Sequence, residues 1–318
     1  MAPFPIDVVV PWVDGNDPVL RAKRAPYAGE GTLANNEVGG PVRYISSGEI
    51  RWAVASIFRF APFVRKVFIV TDGQDPGLDG MLRKHFPDRV DDVVVVDHSI
   101  IFRGREEYLP TFNSNSIDTL VWNIPELSEH FIYFNDDMFL VRPVEPEDFF
   151  RADRVVCYAD PYPAALVRLS RKMRPEHVGY KESMLRALEL MGGGSQILYI
   201  GHIPCPMLKS WFENWAQERP EMVERNLRYK FRDVAQFEVQ EAFFVDMRRQ
   251  RRLVLRSERR NILCVRHYRE GDYIAEKLRR FSADTRRKFA CFNSLPLCSQ
   301  EDLERVSRWL DARVGIGE

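Results

Sequence analysis

Two adjacent carboxylates, Asp136 and Asp137, close an apolar run in Phe131-Ile132-Tyr133-Phe134-Asn135-Asp136-Asp137. Where such a strand ends and the chain turns, both can reach one ion. An oxygen-only pair suits Mg2+ or Mn2+, which in turn suit substrate phosphates. Asn and Asp are also ordinary turn residues, so a plain turn stays open as the alternative. Trp12-Val13-Asp14-Gly15-Asn16-Asp17-Pro18 sets two acids around a glycine beside an indole. That loop could hold a base or ribose against Trp12 and present Asp14, or it could be a simple Asp-Gly turn. His202, in Gly201-His202-Ile203-Pro204, titrates nearest neutral pH and is a candidate general base, with a packed or surface histidine as the plainer reading.

Two segments could receive anions. Ser46-Ser47-Gly48-Glu49 has the spacing of a capping box, and Arg51, two residues further, would stand near a helix N-terminus that already favours negative charge. Asn113-Ser114-Asn115-Ser116 offers N–H groups and hydroxyls before another helix, where ordinary N-capping explains much of the pattern. The strongest charge run is Arg248, Arg249, Arg251, Arg252, Arg256, Arg259 and Arg260, with Glu258 as its single acid. A solvated helix face is its commonest fate, and a track for an anionic polymer or a nucleic acid is the functional alternative.

The elements that must position these groups are legible as periodicities. Ile6 to Val10, Val67 to Val70, Val93 to Val96 and Phe131 to Phe134 are short apolar runs, each followed at once by a polar cluster with an acid. Such runs suit strands covered on both faces, and the helical spacings Ile50, Ala53, Val54, Ile57, Phe58 and Ile117, Leu120, Val121, Ile124 lie between them. The fold class expected is α/β, a Rossmann-like open sheet flanked by helices. Ligands bind outside the carboxyl ends of such strands, where Asp14, Asp72 of Thr71-Asp72-Gly73-Gln74, Asp97 and Asp136 would gather. The second half reads as mainly helical, with helices expected over Lys181 to Met191, around Trp211, Phe212 and Trp215, from Pro220, over Phe237 to Met247, and after an N-cap at Ser299. Only Ile197 to Ile200 reads there as a strand.

With 318 residues, 45% hydrophobic and 29% charged, the chain can bury a substantial core in one large domain or two modest ones, with an α/β part over 1–150 and a mainly helical part over 151–318. Lys and Arg together number 46, as do Asp and Glu, so a globally basic nucleic-acid binder is disfavoured. No apolar stretch is long enough for a membrane span and the N-terminus lacks a signal-peptide layout, which points to a soluble, cytoplasmic protein; peripheral membrane association stays open. Cys157, Cys205, Cys264, Cys291 and Cys298 show no Cys-x-x-Cys spacing and are expected as reduced core thiols.

Taken in order, several of these segments resemble the Stealth family of sugar-1-phosphate transferases. Ile6 to Pro18 is similar to its opening motif. Gly48 to Pro62, Val67 to Gln74, Leu109 to Ser114 and Leu127 to Leu140 are similar to its second region, His202 to Arg232 to its third, and Lys288-Phe289-Ala290-Cys291-Phe292-Asn293 more loosely to its fourth. Gln236 falls near where the family pattern after Arg232 has an acid.

The resemblance covers nearly the whole chain and implies one catalytic domain over 1–318 built on a glycosyltransferase-like mixed sheet. It also implies transfer of hexose-1-phosphate from a UDP-sugar to a hydroxyl of an oligo- or polysaccharide, with release of UMP and Mg2+ or Mn2+ as cofactor. It assigns metal contact to Asp136 and Asp137 and base catalysis to His202. Phosphate contacts fall to Arg51 and Arg232, and substrate binding to Trp12, Asp14, Gly15, Asp17, Glu49, Asp72, Asn113, Ser114 and Asn135. A glycosyltransferase releasing UDP, or a non-catalytic module binding a nucleotide sugar or glycan, are the alternatives.

Overall fold

The structure is a computed structural model that describes residues 4–27, 47–173, 179–265, 268–269, 271–293 and 295–317. The first half runs β1 (Ile6–Pro11), α1 (Pro18–Arg24), α2 (Glu49–Phe60), β2 (Val64–Thr71), α3 (Asp79–His85), β3 (Val93–Asp97), α4 (His98–Ile101), α5 (Ser114–Leu120), β4 (His130–Tyr133) and β5 (Met138–Leu140). All four expected strands form, and β1, β2, β3 and β4 pair in parallel. β1 is buried over Ile6 to Val10, as a strand covered on both faces must be. β3 is the exception. It ends the sheet, so Val93 and Val94 are only half-buried and Val95 is exposed.

The second half continues with β6 (Phe150–Arg151), β7 (Arg154–Pro163), α6 (Ala164–Met173), α7 (Tyr180–Leu190), β8 (Gln196–Ile200), β9 (Cys205–Leu208), α8 (Lys209–Glu218), α9 (Pro220–Leu227) and α10 (Val239–Arg249). It ends with β10 (Leu253–Arg256), β11 (Ile262–Val265), α11 (Tyr273–Ala283), β12 (Phe289–Phe292) and α12 (Gln300–Val314). The expected helices are all present, and Ser299 caps α12 by accepting from the Asp302 N–H. The strands β7, β9, β10, β11 and β12 were not legible from periodicity. They are short or half-covered, and pairing with distant partners defines them.

The central sheet has the order β3-β2-β1-β4-β9, with β9 antiparallel to β4. Chain order reverses between β1 and β4, so the crevice beyond their carboxyl ends is a topological switch point. A three-stranded sheet, β11-β12-β5, joins the chain's last strands to the short strand after the Asp136-Asp137 turn. α2 lies between the two sheets. Its expected face (Ile50, Ala53, Val54, Ile57, Phe58) is buried, and so are Trp52 and Ala55, which pack with Phe139, Val306 and Leu310 in a second core. Among the described residues no helix is long and apolar enough to cross a membrane.

One buried carboxylate ties the sheet together. Asp7, fully buried in β1, accepts from Arg65 Nε (2.9 Å) and Nη2 (2.6 Å), from the Lys66 N–H (3.2 Å), and from Ser128 N (2.7 Å) and Oγ (2.6 Å). It thereby fastens β1 to β2 and to the chain entering β4. Removing it leaves several donors without an acceptor, so Asp7→Ala is expected to cost about 3 kcal/mol. Urea unfolding of the variant should show a lower midpoint at unchanged slope, and an unchanged midpoint would refute the role.

Candidate active site

The carboxyl ends of the strands do carry the expected polar loops, sorted into two groups. At the ends of β1 and β2, Gln74 acts as a latch. Its Oε1 accepts from the Asp14 N–H (3.0 Å), and its Nε2 donates to Asp14 O (2.8 Å) and Asp17 Oδ2 (2.9 Å). Asp17 is also the N-cap of α1, accepting from the Val19 N–H, and these hydrogen bonds hold its carboxyl below the usual range. Asp14 accepts from the Asn16 N–H, and Gly15 O accepts from Arg21 Nε (3.0 Å). Asp72 is paired with Lys23 at 2.6 Å. The loop is thus the expected turn, stabilised by its own acids, with the ring of Trp12 buried in the core behind it and its Nε1 without a hydrogen-bond partner.

The second group forms at the end of β4. Asn135 O accepts from the Met138 N–H (3.2 Å), closing a tight turn that holds Asp136 and Asp137 at its tip. β8 delivers Gly201 and His202 into the short connection to β9, and β9 returns alongside β4 with Tyr133 opposite Cys205. His202 Nδ1 consequently lies 3.3 Å from Asp137 Oδ1 and 3.2 Å from Oδ2. β12 reaches the same turn from the other side: the Phe292 N–H donates to Asp137 O (3.2 Å), and Cys291 Sγ stands 3.6 Å from Asp137 Oδ2. Cys291 also meets the Asn293 side-chain oxygen.

Charge is crowded here. Asp136 is pushed well above the usual carboxylate range by burial and by the neighbouring carboxylates of Asp137 and Glu49. Glu49, buried at the start of α2 and accepting from the Ser47 N–H (2.5 Å), is raised first by burial, with Asp137 adding to it. A divalent cation would relieve such crowding, so this oxygen-rich side of the site fits Mg2+ or Mn2+. The capping-box expectation is modified. Ser46 lies outside the described residues, and α2 is capped by Gly48 at φ 83°, a left-handed position that glycine adopts without strain.

The expected anion corner at α5 is built from two segments. Asn113, fully buried, caps α5 and sends its Nδ2 toward Tyr229 O (3.0 Å), Phe231 O (2.8 Å) and Gln236 Oε1 (3.0 Å). Its role is positioning, because it holds the 229–236 loop so that Arg232 Nε donates to Ser114 Oγ at 3.0 Å. Gln236, in the acid's expected place, serves the same scaffold through Asn226 O (2.7 Å). Arg51 does not join this corner. Its guanidinium stacks 4.4 Å over the Trp52 ring and lies 3.7 Å from Asp311 of α12, because its place on α2 points it to the second core.

The arginine run likewise departs from a single solvated helix face. It passes from α10 through a turn at Arg251 (φ 60°) into β10, and Arg249 and Arg252 donate to Gly193 O and Asp153 O. Its acid, Glu258, is fully buried against Gly201. Cys157, Cys205 and Cys291 are buried, Cys264 and Cys298 are half-buried, and none of the five is in a disulfide.

Residues 4–32 match the profile of Stealth protein conserved region 1, and residues 43–158 that of conserved region 2. The chain belongs to the Stealth family. Relatives of this Stealth chain include an exopolysaccharide phosphotransferase of Streptomyces coelicolor, 39% identical over 72% of this chain and 37% of that protein. The receptor polysaccharide phosphotransferase WefC of Streptococcus oralis is 42% identical over 48% and 43% of the two chains. The capsular polysaccharide phosphotransferase LcbA of Neisseria meningitidis is 37% identical over 49% and 40%. The Stealth chain therefore spans about two fifths of the length of these curated relatives. Among solved structures, the galactosyltransferase LgtC with donor and acceptor sugar analogs aligns over 96% of this chain and 95% of its own, at TM-score 0.47 and 11% identity. Mouse xyloside xylosyltransferase 1 aligns over 91% and 98%, at TM-score 0.43 and 11% identity. Likenesses at this level concern the course of the chain and say nothing of the reaction.

Reading the Stealth sequence alone missed Cys291 and Asp118 as site neighbours. Cys291 is the buried thiol expected, and nothing in its spacing announces that β12 pairs with β5 beside the acidic turn. Asp118 sits on α5 as one helix residue among many, yet Tyr133 Oη lies 2.8 Å from its Oδ1 and 2.9 Å from Asn135 Oδ1. Burial pushes the Asp118 carboxyl up to about 7, against the hydrogen bond from Tyr133. Its raised value means that the folded state binds a proton the unfolded chain has released, so Asp118 loses stability for the fold as pH rises from about 4 through about 7. Asp118→Asn, neutral at every pH, should flatten that decline. The variant should gain at least about 1 kcal/mol on the wild type between pH 5 and pH 8 in urea melts, and parallel pH profiles would refute the assignment.

Gly201 supplies a second test. A Cβ there would lie 2.0 Å from the buried Glu258 Oε1. Gly201→Ala must displace either that carboxylate or the segment carrying His202, and is expected to lower turnover at least tenfold while substrate KM changes less. Wild-type turnover in a folded variant would show that the close approach does not position His202.

Proposed function

We propose that this chain is the catalytic unit, spanning both halves of the sequence, of a metal-dependent sugar-1-phosphate transferase of surface polysaccharide assembly. It passes hexose-1-phosphate from a UDP-sugar to a sugar hydroxyl, forms a phosphodiester and releases UMP. The observation that carries the reading is the Asp137–His202 contact at 3.2 Å at the switch point of the sheet. Asp137 accepting from Nδ1–H fixes the tautomer and leaves Nε2 with a lone pair for the acceptor hydroxyl's proton. The imidazole is 40% exposed and the carboxylate 18%, so the base opens outward while its partner is sheltered.

Asp136 and Asp137 are the residues that would hold Mg2+ or Mn2+, which supplies neutralisation of the diphosphate when bound. Arg232, steadied by Ser114, is assigned to the transferring phosphoryl group, and Arg51 is left to its pair with Asp311. The latched loop of Asp14, Gly15 and Asp17, with Asp72 beside it, is assigned to the nucleoside end of the donor, with Glu49, Asn113 and Asn135 shaping the site between.

The test is to incubate the protein with a panel of UDP-sugars, Mg2+ or Mn2+, and capsule-type oligosaccharides, and to identify the nucleotide released. UMP that requires both metal and acceptor is the expected product, and UDP would make the enzyme a glycosyltransferase instead. Asp137→Ala and His202→Ala should each lower turnover by at least a hundredfold, while equilibrium dialysis still detects UDP-sugar binding to the His202 variant. Undiminished turnover in both variants would remove the proposed dyad.

A further inference from the structure

The donor set around Asp137 is not the oxygen-only set that Mg2+ or Mn2+ selects. Among the described residues, Asp137, His202 and Cys291 bring a carboxylate oxygen, an imidazole nitrogen and a thiol sulfur within 4.8 Å of one another. Tetrahedral zinc, with bonds of about 2.0 Å to oxygen and nitrogen and about 2.3 Å to sulfur, holds its nitrogen and oxygen donors about 3.3 Å apart and its sulfur and oxygen donors about 3.5 Å apart. The corresponding separations here are 3.2 Å for His202 Nδ1 to Asp137 Oδ2 and 3.6 Å for Cys291 Sγ to Asp137 Oδ2. Two edges of a zinc tetrahedron are thus already in place. The side chains come from three elements fixed by sheet pairing: the turn after β4, the connection before β9, and β12. Exposure of His202 leaves a way in and a fourth position for water.

We propose that Asp137, His202 and Cys291 form a zinc site, distinct in donor chemistry from the Mg2+ or Mn2+ expected on the carboxylate side, and that zinc bound there switches the enzyme off. Imidazole and thiolate prefer a borderline ion such as Zn2+ over hard cations. Binding releases the Cys291 Sγ–H proton to solvent, with His202 entering as the neutral ligand, so one proton leaves per zinc bound. The bound ion takes Nδ1 of His202, whose proton passes to Nε2 so that the imidazole stays neutral, and one oxygen of Asp137; both the contact that orients the base and the Nε2 lone pair are thereby lost. The inhibitory half rests on the proposed transfer reaction, whereas the binding half does not.

Co2+ is the spectroscopic probe, added to the full chain freed of metal and without substrates. One equivalent should produce a near-ultraviolet thiolate-to-cobalt charge-transfer band and the intense visible bands of a tetrahedral ion, both abolished by one equivalent of Zn2+. Cys291→Ser should lose the charge-transfer band, and His202→Ala, altered at a half-exposed position that folding tolerates, should weaken Zn2+ binding at least tenfold against a chromophoric chelator. Absence of the band in the wild-type chain, or its survival in Cys291→Ser, would overturn the site. In the transferase assay, Zn2+ should suppress UMP release in the presence of excess Mg2+, reversibly on chelation. A band with undiminished turnover would overturn the switch alone, and a band in a chain that never releases UMP would keep the site while removing the transferase reading.

Discussion

The antiparallel pairing of β9 with β4 is the constraint on which the site depends. Without it, His202 would sit in an unremarkable loop some sixty residues from the acidic turn. With Tyr133 opposite Cys205, the three residues before β9 and the four after β4 must occupy the same end of the sheet. A parallel Rossmann-like half-sheet thus gains an antiparallel edge strand from the second half of the chain, and that strand carries the base. β12 repeats the device on the other flank, pairing antiparallel to β5 and placing Cys291 beside the same carboxylate.

Electrostatics then divides the labour among side chains of similar type. Some carboxylates are held by donors or cations: Asp7 fastens β1 to β2 and to the chain entering β4, Asp17 caps a helix, and Asp72 is paired with Lys23. Glu49 and Asp136 instead lie buried near the carboxylate of Asp137, and burial together with that neighbouring charge raises both. The arginines divide in the same way. In the run after Arg248, Arg249 and Arg252 brace backbone carbonyls and Arg259 lies beside Asp160, while Arg232 is held by the neutral hydroxyl of Ser114. Burial without a partner of opposite charge costs free energy, so the places where it persists stand out against the rest of the fold.

The four parallel strands, α2 and most helices of the second half follow from local apolar periodicities long enough to specify an element. The amino-acid sequence by itself also determined that Asp14, Asp72 and Asp136 would lie at strand ends, and its motifs were sufficient to place the chain in the Stealth family. The tertiary structure decided what each polar residue is for. The Asn113 amide became the lock on the Arg232 loop, Arg51 went to α12, and Glu258 was buried against Gly201. Strands β7 and β9 to β12, and with them Cys291, were decided there too. Apart from the tight β6–β7 pairing, their partners lie tens to more than a hundred residues away, and pairing across such separations depends on the closed fold, which a local pattern of four or five residues does not encode.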